Sequence, residues 1–283
     1  MTENIGVARV ASLHVHPLKS AAALAVESME LDARGAMGDR RWMLIDSDRV
    51  AVTARVYRKL ARIQPTFLSS DRNGGLMLQH PSLESIRVRV PHDMPSVQAR
   101  IWSDDVLVQD AGNDVADWCS DAISAHCRMV YLAPDAHRPV AQRYGGTLSV
   151  AQREVMLSDG APLLILSEAS VESLNVRLVQ QGGDAITVRR FRPNIFVSGV
   201  ESHTEDTWSE IQIGDVSIAV GNTCKRCVMV NVDPVTVESS LEPLRTLSGY
   251  RRDDDGVMFG MNATHGSLGT IRVGDLIEVR HLK

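Results

Sequence analysis

Short apolar runs that alternate at period two, each broken after a few residues, fill most of this chain and restrict its fold more than any other feature. Such alternation places one face of a strand on a core. Residues 8–15 alternate in this way, with Ala11, Leu13 and Val15 on one side. Further runs occupy 29–31, 43–45, 76–78, Ile86/Val88/Val90, Val97/Ala99/Ile101, 106–108 and 128–132. Asn73-Gly74-Gly75 and 91–95 are the breaks among them. Close-set short strands between 62 and 109 predict a small antiparallel sheet or barrel, a scaffold or the wall of a cleft. Beyond Arg189 the chain is again mostly strand. Two Gly-Asp turns, Gly214-Asp215 and Gly274-Asp275, each sit between alternating runs and each predict a hairpin. Gly260-Met261-Asn262 reads as a polar loop before the second of these.

Few segments have helical period. Asn113 or Asp114 is suited to cap a helix, on which Val115, Trp118, Cys119, Ala122, Ile123 and Cys127 fall along one stripe. Cys119 and Cys127 are therefore expected in the core. Ser167 caps a second helix to about residue 179, and Gly182-Gly183 ends it. A short helix is expected over 241–247. Residues 134–154, with Gly145-Gly146, form a connection of a length that is often functional or mobile.

A chain of 283 residues accommodates one large domain or two ordinary ones. A net charge of −5 gives no support to wholesale binding of nucleic acid or of a membrane surface. The first residues carry no apolar leader segment, and no apolar run approaches the ~20 residues of a membrane helix. Four cysteines do not make a disulfide framework. A cytoplasmic location is expected.

Chemistry concentrates in residues 221–234, GNTCKRCVMVNVDP. Cys224 and Cys227 flank Lys225 and Arg226. Positive charge favours a thiolate, the form that binds metals and attacks electrophiles, so lowered thiol pKa values are expected. The alternation of Val228, Val230 and Val232 predicts a strand directly after this loop. On the residues alone, other roles stay open. Cysteines often only fill space. A CxxC can be half of a zinc site, although no second pair exists here. A redox pair is a third option, although such pairs normally open a helix after a strand. Basic residues recur elsewhere. Lys19 and Ser20 follow Pro17 at a strand end, as an anion site or a solvated turn. Arg40 and Arg41 point to opposite faces if their strand has begun, and Thr53-Ala54-Arg55 adds a further basic site. Arg189, Arg190 and Arg192 crowd together, which is costly unless something negative lies among them. In an extended segment Arg190 and Arg192 share a face. Gly160 and Ala161 would let a ligand approach the backbone closely.

Several stretches, taken in order, carry a resemblance: HPLKS at 16–20, GDRRWMLID at 38–46, PLLILSEASVESLN at 162–175, FRPNIFVSG at 191–199, CKRCVMVNVDP at 224–234, EPLRTL at 242–247 and the closing GTIRVGD. The chain resembles the MOSC-domain family, and within it the two-part proteins with an N-terminal β-barrel region, which include the mitochondrial amidoxime-reducing components and bacterial relatives. The resemblance implies an α+β, mainly β fold. A MOSC β-barrel core over 126–283 would follow a β-rich N-terminal region over 1–125, with residues 1–41 contributing to the cofactor pocket and a few helices packed alongside. It implies a molybdenum cofactor, a phosphorylated pterin dithiolene. Cys227 would ligate the metal and be the catalytic residue, and Lys225 and Arg226 would line the cofactor. Lys19 and Ser20 would contact its phosphate region. Arg40, Gly160, Ala161, Arg192, Asn194 and Asn262 would complete the site. Cys224 would pack beside it without ligating.

The implied activity is reduction of N-hydroxylated compounds, amidoximes or hydroxylamines, with oxygen taken from the substrate nitrogen at molybdenum. The alternative is a cofactor carrier or a sulfur-delivery module bearing a persulfide, and a third is a subunit that works only within a larger complex. Some bacterial relatives carry a cysteine-rich C-terminal iron–sulfur domain, which is not expected here after the last hairpin. No iron–sulfur cluster is therefore expected in this chain, and a separate ferredoxin-, flavodoxin- or cytochrome-type protein would supply electrons. No long N-terminal anchor is visible. Substrate contacts are expected from loops such as 134–154 and 251–255.

Overall fold

The computed structural model describes residues 7–72, 74–144 and 153–283. Asn73, Gly145 and Gly146, with part of the 134–154 connection, lie outside the described residues. The fold is α+β and mainly β. Among the described residues no helix is long and apolar enough to cross a membrane.

A nine-stranded sheet forms the centre. From edge to edge its strands are Leu24–Val26, Arg9–Val15, Ile195–Ser198, Leu163–Ser167, Gly256–His265, Val216–Lys225, Trp208–Ile213 and Ile277–Leu282, with Arg252–Asp253 beside Gly256–His265. Leu163–Ser167 and Ile195–Ser198 run parallel. Parallel neighbours need a crossover, and the helix Glu168–Gln180 supplies it. Ser167 caps that helix, its Oγ accepting from Ser170 N. The ends of the sheet meet where Ile277 N donates to Ala8 O and Val10 N to Asp275 O, each at 2.9 Å. The sheet is thereby curled into a barrel. Leu13, Val15, Ile165, Ile195, Ile211, Ile218 and Met261 fill it, joined by Met29, Leu31 and Ile271 from a three-stranded sheet. A register shift between Val10 and Ser12 brings Val10 into the core in place of Ala11.

A five-stranded sheet, in the order Ser96–Ile101, Asp104–Asp110, Arg128–Leu132, Trp42–Ile45 and Ala51–Val52, stands beside the barrel. With it goes a three-stranded sheet of Gln64–Phe67, Leu76–His80 and Leu83–Val88. The helix Asn113–Ile123 packs against this second core through Val115, Cys119, Ala122 and Ile123.

Some sequence expectations are corrected here. The helix is capped by Gly112 at φ 98°, not by the side chain of Asn113 or Asp114. Asp110 organises its start, its Oδ1 accepting from Gly112 N at 2.7 Å and its carboxylate holding Arg128 Nε and Nη2 at 2.5 and 2.7 Å. The helix ends at Ser124, so Cys127 lies beyond it, although both cysteines are buried in the core. Burial pushes both thiols up, Cys127 to about 11. The first Gly-Asp turn closes a hairpin between Trp208–Ile213 and Val216–Lys225. The second does not. Gly269–Arg272 pairs with Ser28–Asp32, and Ile277–Leu282 pairs with Trp208–Ile213. The turn bonds across to the first strand instead, Gly274 N donating to Val10 O at 2.8 Å. Gly260, Met261 and Asn262 are not a loop but the middle of Gly256–His265, a strand buried between two neighbours.

Candidate functional site

The strand Val216–Lys225 leads into the cysteine loop. Its register against Gly256–His265 shifts twice, between Val220 and Thr223 and between Thr223 and Lys225. Bulges of this kind re-aim side chains, and Asn222, Cys224 and Lys225 line a cleft. The strand predicted over Val228–Val232 does not form. Residues Val228–Asn231 are a 3₁₀ turn. With three residues per turn, Met229 and Val230 pack into two different cores and Val228 is left exposed.

Arg226 is fixed at the loop's centre. Its N donates to Val257 O and its Nε to Phe259 O, both at 2.7 Å, and its Nη1 to Phe191 O at 3.1 Å. Its Nη2 is buried without a partner among the described residues. Gly260 makes room for this guanidinium. At its φ of 75° a Cβ would stand 3.0 Å from Ile165 O and 3.2 Å from Arg226 Nη2. The lowering expected for Cys224 is not found. Burial pushes Cys224 up, and the nearby Arg226 only partly offsets it.

Residues 16–20 run alongside 40–42. Arg40 N donates to His16 O at 2.8 Å, Trp42 N to Pro17 O at 3.1 Å and Lys19 N to Trp42 O at 2.8 Å. This pairing brings Lys19 and Arg40 to one wall. Neither Lys19 nor Ser20 is solvated, each being 5% exposed. Lys19 Nζ donates to Leu157 O at 2.9 Å and pairs with Asp159. Burial pulls the Lys19 ammonium down while Asp159 supports it. Burial acts to raise Asp159 too, but Lys19, Arg55 and Trp102 outweigh that and hold its carboxyl below the usual range.

Arg40 pairs with buried Asp39, and its Nη1 donates to Asn194 Oδ1 at 3.2 Å. Asn194 Oδ1 also accepts from Leu164 N at 3.2 Å. Asn194 Nδ2 donates to His14 O at 3.1 Å and to Asp39 Oδ1 at 3.2 Å. The amide has two acceptor and two donor positions, and all are used within the protein, so Asn194 acts on the cleft by holding Arg40. His16, fully buried, is pushed well below its ordinary value by burial and then by Arg192 and Arg40, and so is neutral. Arg41 turns away to Asp32 at 2.6 Å.

The arginines near 190 are not extended along one face. Val188–Phe191 is a 3₁₀ turn, and Arg192 is left-handed at φ 56°. Arg190 is matched by Asp233 at 2.9 Å. Arg192 donates to Ala21 O through Nη1, while its Nη2 is buried and, among the described residues, unpartnered. Burial, then the facing Arg40, work against its charge. A guanidinium keeps its proton regardless, so the cleft retains unmatched positive charge.

Cys227, Lys19, Ser20, Arg40, Gly160, Ala161, Arg192, Asn194, Lys225, Arg226 and Asn262 all line this one cleft, which has a volume of about 220 Å³. Sequence reasoning missed others. Asp159 and Asn222 line it, and Asp39 holds Arg40 from behind. Tyr144 lies over Gly160, so close that a Cβ there would fall 2.3 Å from its ring. The room at Gly160 thus serves Tyr144. Trp102 reaches in from the turn between Ser96–Ile101 and Asp104–Asp110. A bulky indole in a two-residue hairpin turn was the one signal for it. Residues 251–255 do not line the cleft.

The chemistry matches a phosphorylated ligand held beside a thiol. The buried Nη2 atoms of Arg192 and Arg226 have no partner among the described residues, and unmatched guanidinium donors suit phosphate oxygens. Among the described residues no three His, Cys, Asp or Glu side chains gather as a metal-binding group. A soft metal at Cys227 would therefore take its other donors from its own ligand, as a dithiolene provides.

Residues 7–126 match the family model of the MOSC N-terminal beta barrel domain, and 152–278 that of the MOSC domain. The mitochondrial amidoxime-reducing component 1 of Mus musculus is 34% identical over 95% of this chain and 81% of its own length. The corresponding protein of Danio rerio is 34% identical over 94% and 83%. Mitochondrial amidoxime reducing component 2 of Rattus norvegicus is 32% identical over 95% and 82%.

Proposed function

The chain belongs to the MOSC-domain family, with the family's N-terminal β-barrel region ahead of the MOSC domain, and from that premise we propose that it is a molybdenum-cofactor-dependent reductase of N-hydroxylated compounds such as amidoximes and hydroxylamines. The observation that carries the reading is the convergence of Lys19, Arg40, Arg192 and Arg226 from distant parts of the chain on the cleft that holds Cys227. Buried cations with unused donors favour a dianionic phosphate, and a thiolate at the same wall favours a soft metal.

When bound, the cofactor supplies the two-electron removal of oxygen from the substrate nitrogen, with two protons taken up and water released. The protein's part is to hold and orient. Cys227 would bind the metal through Sγ. Arg192 and Arg226 would offer their free Nη2 donors, and Asp39 and Asn194 would keep Arg40 aimed. Tyr144 and Trp102, which both line the cleft, would limit the entry of water and of bulky substrates. Electrons would come from a separate donor protein.

The test is reduction of benzamidoxime with an artificial electron donor. Wild-type protein turns over, and Cys227→Ser keeps its fold but loses at least about a hundredfold in rate. Full turnover by that variant with molybdenum still bound would overturn the ligand assignment. A labile sulfane sulfur on Cys227 without metal would replace the reductase reading with sulfur delivery.

A further inference from the structure

Among the described residues Asp159 is the one carboxylate lining a cleft otherwise rich in cations. Its Oδ1 is bound by Lys19 Nζ and by Trp102 Nε1 at 3.2 Å, and its Oδ2 by Arg55 Nη2 at 3.3 Å. Each of these donors serves a phosphate oxygen as readily as a carboxylate oxygen. Each has a further anchor besides Asp159. Lys19 is also tied to Leu157 O and its side chain is 6% exposed. The Arg55 guanidinium stacks on the Trp102 ring, 4.2 Å from its centroid. Trp102 is held by its hairpin turn at φ 57°, a left-handed conformation that a bulky residue rarely adopts and that tends to mark functional sites. By contrast the Asp159 side chain is 57% exposed to the cleft. The donors are fixed and the acceptor is reachable.

We propose that Lys19, Arg55 and the Trp102 indole N–H form an exchangeable oxyanion site, filled in this structure by the Asp159 carboxylate and taken over by the phosphate of a phosphorylated ligand. The indole N–H is a single donor that only one anion can take, and a carboxylate and a dianion crowded on the same cations repel each other. One must leave when the other arrives. Asp159 thus keeps a buried lysine charged until the ligand phosphate replaces it, and it sets how tightly that phosphate binds. The identity of the ligand as a pterin phosphate rests on the function proposed above, whereas the exchange does not.

The experiment uses the full chain purified without molybdenum cofactor and titrates it with inorganic phosphate by calorimetry. Asp159→Asn is expected to bind phosphate about tenfold tighter than wild type or better, since a competing charge is gone, and to melt lower than wild type in phosphate-free buffer. Arg55→Ala is expected to bind more weakly. In wild type, phosphate changes the tryptophan emission as the indole N–H passes from Asp159 to the anion, and Trp102→Phe lacks that change. This second readout stands even if Asp159→Asn does not fold. Equal or weaker phosphate binding by Asp159→Asn overturns the proposal, as does an emission change that persists in Trp102→Phe. The former result would mean that Asp159 stays in place, for instance accepting from ring N–H groups of the ligand. Molybdenum in the protein as isolated from cells, without any gain in Asp159→Asn, sinks the exchange alone. A gain in a protein that never carries molybdenum supports the exchange and sinks the reductase reading.

Discussion

The Asn194 amide accepts from Leu164 N and Arg40 and donates to His14 O and Asp39, with no accessible surface of its own. Cutting it back to alanine takes this side-chain partner from buried Leu164 N and His14 O, while Arg40 and Asp39 keep each other. Each such group costs about 1–3 kcal/mol. Asn194→Ala is therefore expected to destabilise the protein by about 2–4 kcal/mol in chemical denaturation. It should also weaken phosphate binding, because Arg40 loses its aim. A change below about 0.5 kcal/mol would show that the junction is not needed. At this scale the sequence was informative about which residues carry charge and silent about who neutralises them. Lys19, Arg40 and Arg192 stand out as residue types. That Asp39 and Asp159 face two of them, and that Arg190 is matched by Asp233, depends on segments far apart in the chain.

At the level of elements, Asp110 joins the strand Asp104–Asp110 to the helix Asn113–Ile123 and to Arg128. Burial acts to raise its carboxyl, but Arg128 and the Gly112 N–H prevail and hold it below the ordinary range. A carboxyl with a folded pKa below its unfolded value of about 4 stabilises the fold above that pH and loses this effect as pH falls through the folded value. Asp110→Asn should cost about 1 kcal/mol at neutral pH. Its melting temperature should converge on that of wild type as pH drops below about 4, and a gap that stays constant down to pH 2 would contradict this. Elements with clean alternation or a clear cap, such as Ser96–Ile101 and Glu168–Gln180, were legible from residue pattern. The turn Val228–Asn231 was not, because its valines alternate in sequence while its backbone turns every third residue. Gly256–His265 was misread for another reason. It is buried along nearly its whole length, and its polar Asn262 and Thr264 bond to Asn222 and Tyr144 O, neighbours that no local pattern displays.

Across the whole molecule, the N-terminal strand Arg9–Val15 belongs to the central sheet, while Arg128–Leu132 pairs with Trp42–Ile45 and Asp104–Asp110. We propose that the two parts, divided near residue 126, fold as one cooperative unit. A chain of residues 126–283 would lose Val10, Leu13, Val15, Met29 and Leu31 from the barrel core. At about 1.5–3 kcal/mol for each buried side chain, the loss rivals the whole stability of a typical domain. That fragment is expected to be unfolded or aggregated by circular dichroism and gel filtration, and a soluble, cooperatively melting fragment would refute the proposal. The same interleaving carries Lys19 and Arg40 to the cleft that Cys227 lines, so the site is complete only when both parts are present. The most direct test of that site is metal analysis of the intact chain and of Cys227→Ala, each purified from cells that make the molybdenum cofactor. The account predicts about one molybdenum per chain in the former and almost none in the latter, as expected when a single thiolate anchors a soft metal. Equal molybdenum in both, or none in the wild type, would contradict it.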